Sequence, residues 1–247
     1  MNNQSGMSIT EVLISLFIAS IIMTTLTQLY LSNKRQYSEA QKVLAASFDL
    51  QWVSDLLSDS IRRAGFTPCL GIDQLESIDR RDYKRTLQGL KMEQAPRQLI
   101  QINRMSEYFT QVNNIQGPTR LIVSNRIIFK ELHPVLIADC DHAEVQEILS
   151  VDKIARGYLL TLAKPLVYSY PTKAYIGEWF EEQWFIKPNA KKENTLHYKL
   201  FQTEELTSLV HSLQIKKKLI HDKTLVEIIM GLGKDKTHQL MVAVRGS

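Results

Sequence analysis

The chain has 247 residues, 44% of them hydrophobic and 23% charged, an ordinary globular composition that excludes disordered and collagen-like proteins. The formal net charge of +4 is small for this length, so charge does not demand a nucleic-acid partner. The length suits one domain, or one domain with an appendage.

The first predicted element is a membrane helix. The apolar stretch from Met7 to Leu31 would form about 37 Å of helix, enough for a bilayer core of about 30 Å. Tyr30 lies at the far end, where an interfacial aromatic residue is expected, and Lys34 and Arg35 follow. A cleaved signal peptide is the alternative, but its apolar core would be about 7 to 15 residues and small residues would follow it.

Glu11 is the only charged residue among the first 33 and lies near the start of this stretch. An ionisable group in a membrane calls for a partner, and the span contains no Lys, Arg or His. The remaining cation that could pair with Glu11 is an α-amino group. Cleavage between Gly6 and Met7 would create one four residues before Glu11, on the same helix face.

The string GMSITE at 6–11, followed by an apolar helix, resembles the class III signal of type IV prepilins and pseudopilins. The resemblance implies that a prepilin peptidase cuts after Gly6, that Met7 is N-methylated, and that Glu11 pairs with the terminal amine of an adjacent subunit. Two features depart from the family pattern. The first mature residue is usually Phe rather than Met, and the leader MNNQSG has no Lys or Arg.

The orientation of the helix is less well defined by the sequence. Lys34 and Arg35 alone favour the topology opposite to that of a prepilin. A plain signal anchor with an incidental Glu11 is therefore the alternative interpretation of the N-terminus.

The helix is predicted to continue to about residue 64, because neither Gly nor Pro occurs from Met7 to Ala64. Gly65 and Pro68 end it. Its second half is amphipathic, and its apolar stripe is predicted to pack on a globular head. The stripe comprises Leu44, Phe48, Trp52 and Leu56, widened by Val53, Leu57 and Ile61.

The rest of the chain consists mainly of short β-rich runs. They lie at 99–102, 120–129, 134–139, 157–162, 183–187, 196–201, 213–220, 224–230 and 238–244. Three other segments are predicted as an exposed loop (79–85), a short helix (203–213) and a hairpin turn (231–236). The fold class is α+β: a long pilin-type N-terminal α-helix, membrane-spanning in its first half, packed on an antiparallel β-rich head.

Three segments of the head resemble PilW-type minor pilins: SIRRAGFTPCLG (60–71), VLIADCDHAEVQEI (135–148) and EELTSLVHSLQI (204–215). With a head outside the cytoplasm, Cys69 and Cys140 are expected to form a disulfide. The alternative is a metal site, since acidic and imidazole groups surround the second cysteine, but their spacing matches no common zinc pattern. These groups are His133, Asp139, Asp141 and His142.

The predicted organisation is a prepilin leader (1–6), a transmembrane half-helix (7–33), an amphipathic half-helix (34–65) and a periplasmic head (66–247). The resemblance implies a minor pilin that takes part in priming and assembly of a type IV pilus as a subunit of its initiation or tip complex. No enzymatic activity, cofactor or metal is predicted.

The partners implied are other minor pilins, the major pilin, the prepilin peptidase, the inner-membrane assembly platform and membrane lipid. A DNA-contacting surface is a weaker hypothesis, resting on the basic residues Arg80, Arg81, Lys84, Arg85, Lys216, Lys217 and Lys218. The alternative functions are a J-type pseudopilin of type II secretion and a signal-anchored periplasmic binding module. An anchored hydrolase would need a convergent polar pocket, which the sequence does not indicate.

Overall fold

A computed structural model describes residues 8–82, 84–93, 98–124, 129–170, 173–220, 223–233 and 236–244. Its internal contacts divide the chain into two compact units, Met1–Gln51 and Trp52–Ser247. The predicted boundaries at residues 6, 33 and 65 concern processing and the membrane, and they stay predictions.

The helix α1 spans Ile9–Arg62, which confirms the predicted long N-terminal helix. It is long and apolar enough to cross a membrane, and the most apolar part of it has no buried residue. The absence of Gly and Pro explains its continuity, since either residue would weaken or break a helix interior.

The second unit is built of strands. Their bounds are β1 (Glu76–Asp79), β2 (Lys84–Arg85), β3 (Leu90–Glu93), β4 (Leu99–Ile115), β5 (Arg120–Val123), β6 (Pro134–Ala138), β7 (His142–Ile154), β8 (Gly157–Leu162), β9 (Tyr175–Pro188), β10 (Asn194–Lys199), β11 (Thr203–Thr207), β12 (Ser212–Ile220), β13 (Lys223–Gly231) and β14 (Thr237–Ala243). A 3-10 turn at Ile72–Gln74 precedes them.

Six strands close into a ring, because β9 pairs with β4, β4 with β5, β5 with β8, β8 with β7, β7 with β6 and β6 again with β9. These pairings are antiparallel, and the long strands β4 and β7 change register where they bend around the ring. One buried cluster lies among the ring strands and includes Leu121, Val135, Ile137, Ile148, Leu160 and Ile176.

The remaining strands extend this ring or form a second sheet. Strands β10 and β11 continue from β9, and β1 and β2 continue from β7, with β1 parallel to β7. A second buried cluster, which includes Met105, Leu136, Val145 and Trp179, packs beneath the 3-10 turn. Strands β12, β13 and β14 form a separate antiparallel sheet with one buried face.

Each of the nine predicted β-rich runs contains a strand, and the fold class is confirmed. Residues 125–128 of the second run lie outside the described residues. The hairpin at 231–236 is also confirmed, with 234–235 outside the description.

The short helix predicted at 203–213 is wrong. Residues 203–207 form β11, which pairs with β10, and 212 begins β12. Thr207, Val210 and Leu213 are buried at a spacing of three, as in a helix, because the chain turns between the two strands. Pairing with β10 satisfies the backbone and outweighs helix propensity.

The loop predicted at 79–85 is confirmed only at its centre, where residues 80–82 form a turn. Its ends are strands β1 and β2, paired as a hairpin, while residue 83 lies outside the description. Asp79 is buried rather than exposed, because an ion pair with Arg81 neutralises its charge.

Candidate functional site

The start of α1 has one half of a capping box. Ser8 immediately precedes the helix, and its backbone N–H donates to Glu11 Oε2 at 3.2 Å. This is the carboxylate half of the S-x-x-E pattern, in which the third helical residue reaches back to the N-cap. Glu11 thus has a local structural role at the described helix start. The sequence SITE carried this signal, and the sequence analysis missed it.

The hydroxyl groups of the apolar stretch bond to the helix itself. Ser15, Ser20, Thr24, Thr25 and Thr27 each donate to a backbone carbonyl three or four residues earlier. Such bonds satisfy a hydroxyl where no water is present. Hydroxyls therefore add little cost to inserting this stretch in lipid, and Glu11 is its one residue that is charged at neutral pH in water.

The apolar stripe of the second half of α1 differs from the prediction. Leu44, Phe48 and Trp52 are 54%, 66% and 53% exposed. Val53, Leu57 and Ile61, which widen the predicted stripe, are completely buried, as predicted. The predicted core stripe was therefore too long and too wide, because periodicity cannot tell which part of an apolar stripe a head covers.

Backbone bonds fix the end of α1 in the second unit. Gly65 has a φ of +72° and donates its N–H to Asn103 O at 2.8 Å. Phe66 O accepts from Met105 N at 3.0 Å. A left-handed glycine just past a helix is a common stop, since other residues adopt this conformation at a cost.

A disulfide in the structure joins Cys69, just after α1, to Cys140, between β6 and β7. The two Cα atoms are 5.2 Å apart, within the range that a disulfide requires. The bond closes a loop of 71 residues. The oxidation state in the cell stays a prediction.

Three of the four polar side chains considered as metal ligands have other partners. Asp139 Oδ1 accepts from the backbone N–H groups of Asp141 and His142, at 2.8 and 2.6 Å. The His142 ring stacks on Tyr168, and His133 lies 3.6 Å from Glu178. Within the described ranges, no group of three or more His, Cys, Asp or Glu side chains is arranged to hold a metal ion.

Glu144 is a buried carboxyl that the sequence analysis did not single out. It accepts from Tyr170 Oη at 3.0 Å, from Val167 N at 3.2 Å and from Gln146 Nε2 at 3.2 Å. Burial raises the pKa of Glu144, although these hydrogen bonds oppose the shift. The sequence EVQEI gave no sign of this, because the residue type is common on exposed strands.

Two of the seven basic residues that suggested DNA contact form ion pairs with carboxylates. Arg81 donates to Asp79 at 2.8 Å and to Glu181 at 2.7 Å, which joins β1 to β9. Burial alone would lower the pKa of Arg81, but these two carboxylates raise it overall. Lys218 lies 2.9 Å from Glu227 and lowers the pKa of that carboxyl. These contacts weaken the hypothesis of a single basic surface.

Of the predicted site residues, Gly6 and Met7 lie outside the described residues. Glu11 is at the helix start, and Cys69 and Cys140 are bonded to each other far along the chain. The roles assigned to Gly6, Met7 and Glu11 in processing and assembly stay predictions.

Comparison with known proteins gives one family match. The model described as "Prokaryotic N-terminal methylation motif" matches residues 1–27. No curated protein and no solved structure matches the chain. The motif supports a pilin-like or pseudopilin-like protein, which is structural rather than enzymatic, is processed by a prepilin peptidase and assembles with other pilins. Together with the apolar helix, it supports a membrane-anchored protein of this kind.

Proposed function

We propose that the protein is a minor pilin of the PilW type, which is cut after Gly6, methylated on Met7 and assembled into a type IV pilus. Its head, from about residue 66, lies in the periplasm until assembly. It takes part in priming the filament as a subunit of the initiation or tip complex. A J-type pseudopilin would share the N-terminus, and the PilW-like segments around the two cysteines favour the pilus.

The observation that carries the proposal is the exposure of apolar residues along α1. The stretch from Ile9 to Leu31 has lipid as its natural environment. Leu44, Phe48 and Trp52 lie beyond it and are also exposed, so lipid alone does not account for them. Such a stripe at every fourth residue fits packing against helices of neighbouring subunits.

In this proposal, Glu11 sets the register of the subunit in the growing filament. In a bundle of such helices, its carboxylate pairs with the methylated terminal amine of a neighbour, which stays positively charged. The carboxylate already lies at the helix start, 3.2 Å from Ser8 N, one residue from the proposed terminus.

The capping box makes a sharp test possible. Glu11→Gln can still accept the hydrogen bond from the N-cap, but it has no charge to pair with an amine. Glu11→Ala removes both functions. Glu39→Gln, on an exposed part of the same helix, is the matched control.

The proposal predicts that Glu11→Gln and Glu11→Ala both remove the protein from sheared filaments while its membrane level stays near normal. Glu39→Gln should be incorporated like the wild type. Incorporation of Glu11→Gln at wild-type levels, with loss only for Glu11→Ala, would assign Glu11 to the capping box and overturn the pairing.

Priming is tested separately by counting filaments. A subunit of the initiation complex sets how many filaments start, so cells without it should carry fewer filaments of ordinary length. Filaments of unchanged number and altered length would contradict priming and leave the prepilin assignment standing.

A further inference from the structure

The outer edge of β14 differs from the other terminal strands of the described sheets. Strand β14 spans Thr237–Ala243 and pairs with β13 on one side, and no described strand pairs with its other side. Its sequence THQLMVA contains no Lys, Arg, Asp, Glu, Gly or Pro. An uncharged edge strand of this length is a ready template for pairing with another chain.

The other terminal strands carry the protection that β14 lacks. Strand β12 has three consecutive lysines and β11 has two adjacent glutamates, while β2 is two basic residues long and β3 contains Lys91 and Glu93. The start of β12 is also covered, because Gln98 Oε1 accepts from Leu213 N at 2.7 Å. Charges and short strands are the usual means of preventing edge pairing.

The register shows which backbone groups of β14 are available. Val244 N donates to Thr224 O and Leu232 N donates to Lys236 O, so even-numbered residues exchange hydrogen bonds with β13. The N–H and C=O groups of Thr237, Gln239, Met241 and Ala243 therefore point away from β13. All four residues are exposed, with Met241 at 57%.

We propose that β14 is a homotypic interface, at which the outer edge pairs antiparallel with β14 of a second copy. A two-fold axis at Leu240 places Thr237 opposite Ala243 and Gln239 opposite Met241 of the other copy. Every outward N–H and C=O then meets one on the partner strand, so the edge is complementary to itself.

Charge favours pairing between two β14 edges over pairing between two β12 edges or two β11 edges. Pairing of two β14 edges brings no formal charge opposite a like charge, whereas two β12 edges would oppose lysines and two β11 edges glutamates. The side chains of Leu240, one from each copy, meet at the axis on the face where Val226 and Ile228 are buried. The two three-stranded sheets become one continuous sheet.

Cysteine cross-linking of the full chain in membranes tests this interface. In the proposed dimer, Leu240 lies opposite Leu240 of the second copy in a non-hydrogen-bonded pair. The Cα atoms of such a pair are about 4.5 Å apart, within disulfide range. Leu240→Cys should give a disulfide-linked dimer on mild oxidation. Gln214→Cys, exposed on the lysine-bearing strand, should not exceed the background of random collisions.

A second pair of variants covers the case in which Leu240→Cys does not fold. Gln239 and Met241 are exposed, so changing them leaves the core intact. Differently tagged Gln239→Cys and Met241→Cys copies, expressed together, should cross-link to each other more than either does to itself. No cross-link above the Gln214→Cys level with either design would overturn the proposal.

A charge variant shows whether the edge itself drives the contact. Met241→Lys in the Leu240→Cys background should lower the dimer yield by about tenfold, because two lysines are brought close across the strands. Gln214→Lys, in the same background, should change the yield less than twofold. A cross-link to a protein other than this chain would contradict the second copy as occupant.

Discussion

The two regions of the molecule treat apolar residues in opposite ways. Along α1 up to Gln51, large apolar side chains such as Phe17 and Phe48 are each 66% exposed. In the head, Ile100 and Ile137 are completely buried. Both regions are equally apolar at these positions, so composition does not decide the difference. The ring of strands brings its own partners together, whereas a single helix cannot bury all of its faces.

We infer that the second unit provides most of the stability of the chain, and the proposed function assigns the apolar surface of the first unit to lipid and to other subunits. Variants of matched chemistry in the two regions should therefore affect different measurements. Head variants should lower the free energy of unfolding, and helix variants should lower assembly with little effect on unfolding.

The largest expected change in stability comes from the Cys69–Cys140 disulfide. It closes a loop of 71 residues, so its loss should lower the free energy of unfolding by about 4 kcal/mol on the chain-entropy estimate. Urea denaturation of the head in full-length protein, with and without reductant, measures this. Alkylation of both thiols without reductant would show that the bond is not formed in the cell.

Two leucines of the same helix give the next test. Leu57→Ala should cost about 3 kcal/mol, because the side chain is completely buried and its removal leaves a cavity. Leu44→Ala, at an exposed position, should stay within about 0.5 kcal/mol. Incorporation into sheared filaments, corrected for the level of each protein in the membrane, should be lowered more by Leu44→Ala than by Leu57→Ala. Equal destabilisation by the two changes would contradict the separation of the two regions.

The smallest expected effect is a pH dependence from Glu144. Burial raises its folded-state pKa above the ordinary value of 4.5, so the protonated form is favoured in the folded head. The stabilisation that results from this preferential protonation is complete below about pH 4.5 and is lost as pH rises through the folded-state pKa of Glu144. Glu144→Gln should lack this component.

The measurement is the difference in unfolding free energy between wild type and Glu144→Gln as a function of pH. The wild type should lose stability relative to the variant as pH rises from 4 toward neutrality. A difference that is constant across this range would mean that the carboxyl has the same pKa in both states.

The sequence predicted the fold class and the core of nine strands well, because apolar β-branched runs such as the one at 134–139 have few other uses. It did not predict β7, where Glu144 and Gln146 are buried and the pattern looks like that of a solvated segment. Their burial depends on partners far along the chain, such as Tyr170, which local patterns do not reveal. The same reason explains the wrong helix at 203–213.

The candidate site also has some features that the sequence indicates and others that only the structure reveals. The prepilin-like spacing from Gly6 to Glu11 is local, and the sequence alone indicated it. The S-x-x-E pattern of residues 8–11 is equally local, but it was not among the predictions. The covered face of α1 and the uncharged edge of β14 required the structure, since both depend on which neighbours are present.

The proposed function depends on a positive amine created next to an intramembrane carboxylate. Mass analysis of the N-terminal peptide, from protein extracted from the membranes of cells with an active prepilin peptidase, tests it most directly. We expect a peptide that starts with N-methylated Met7. A peptide that still contains residues 1–6, in protein that has assembled into filaments, would contradict it.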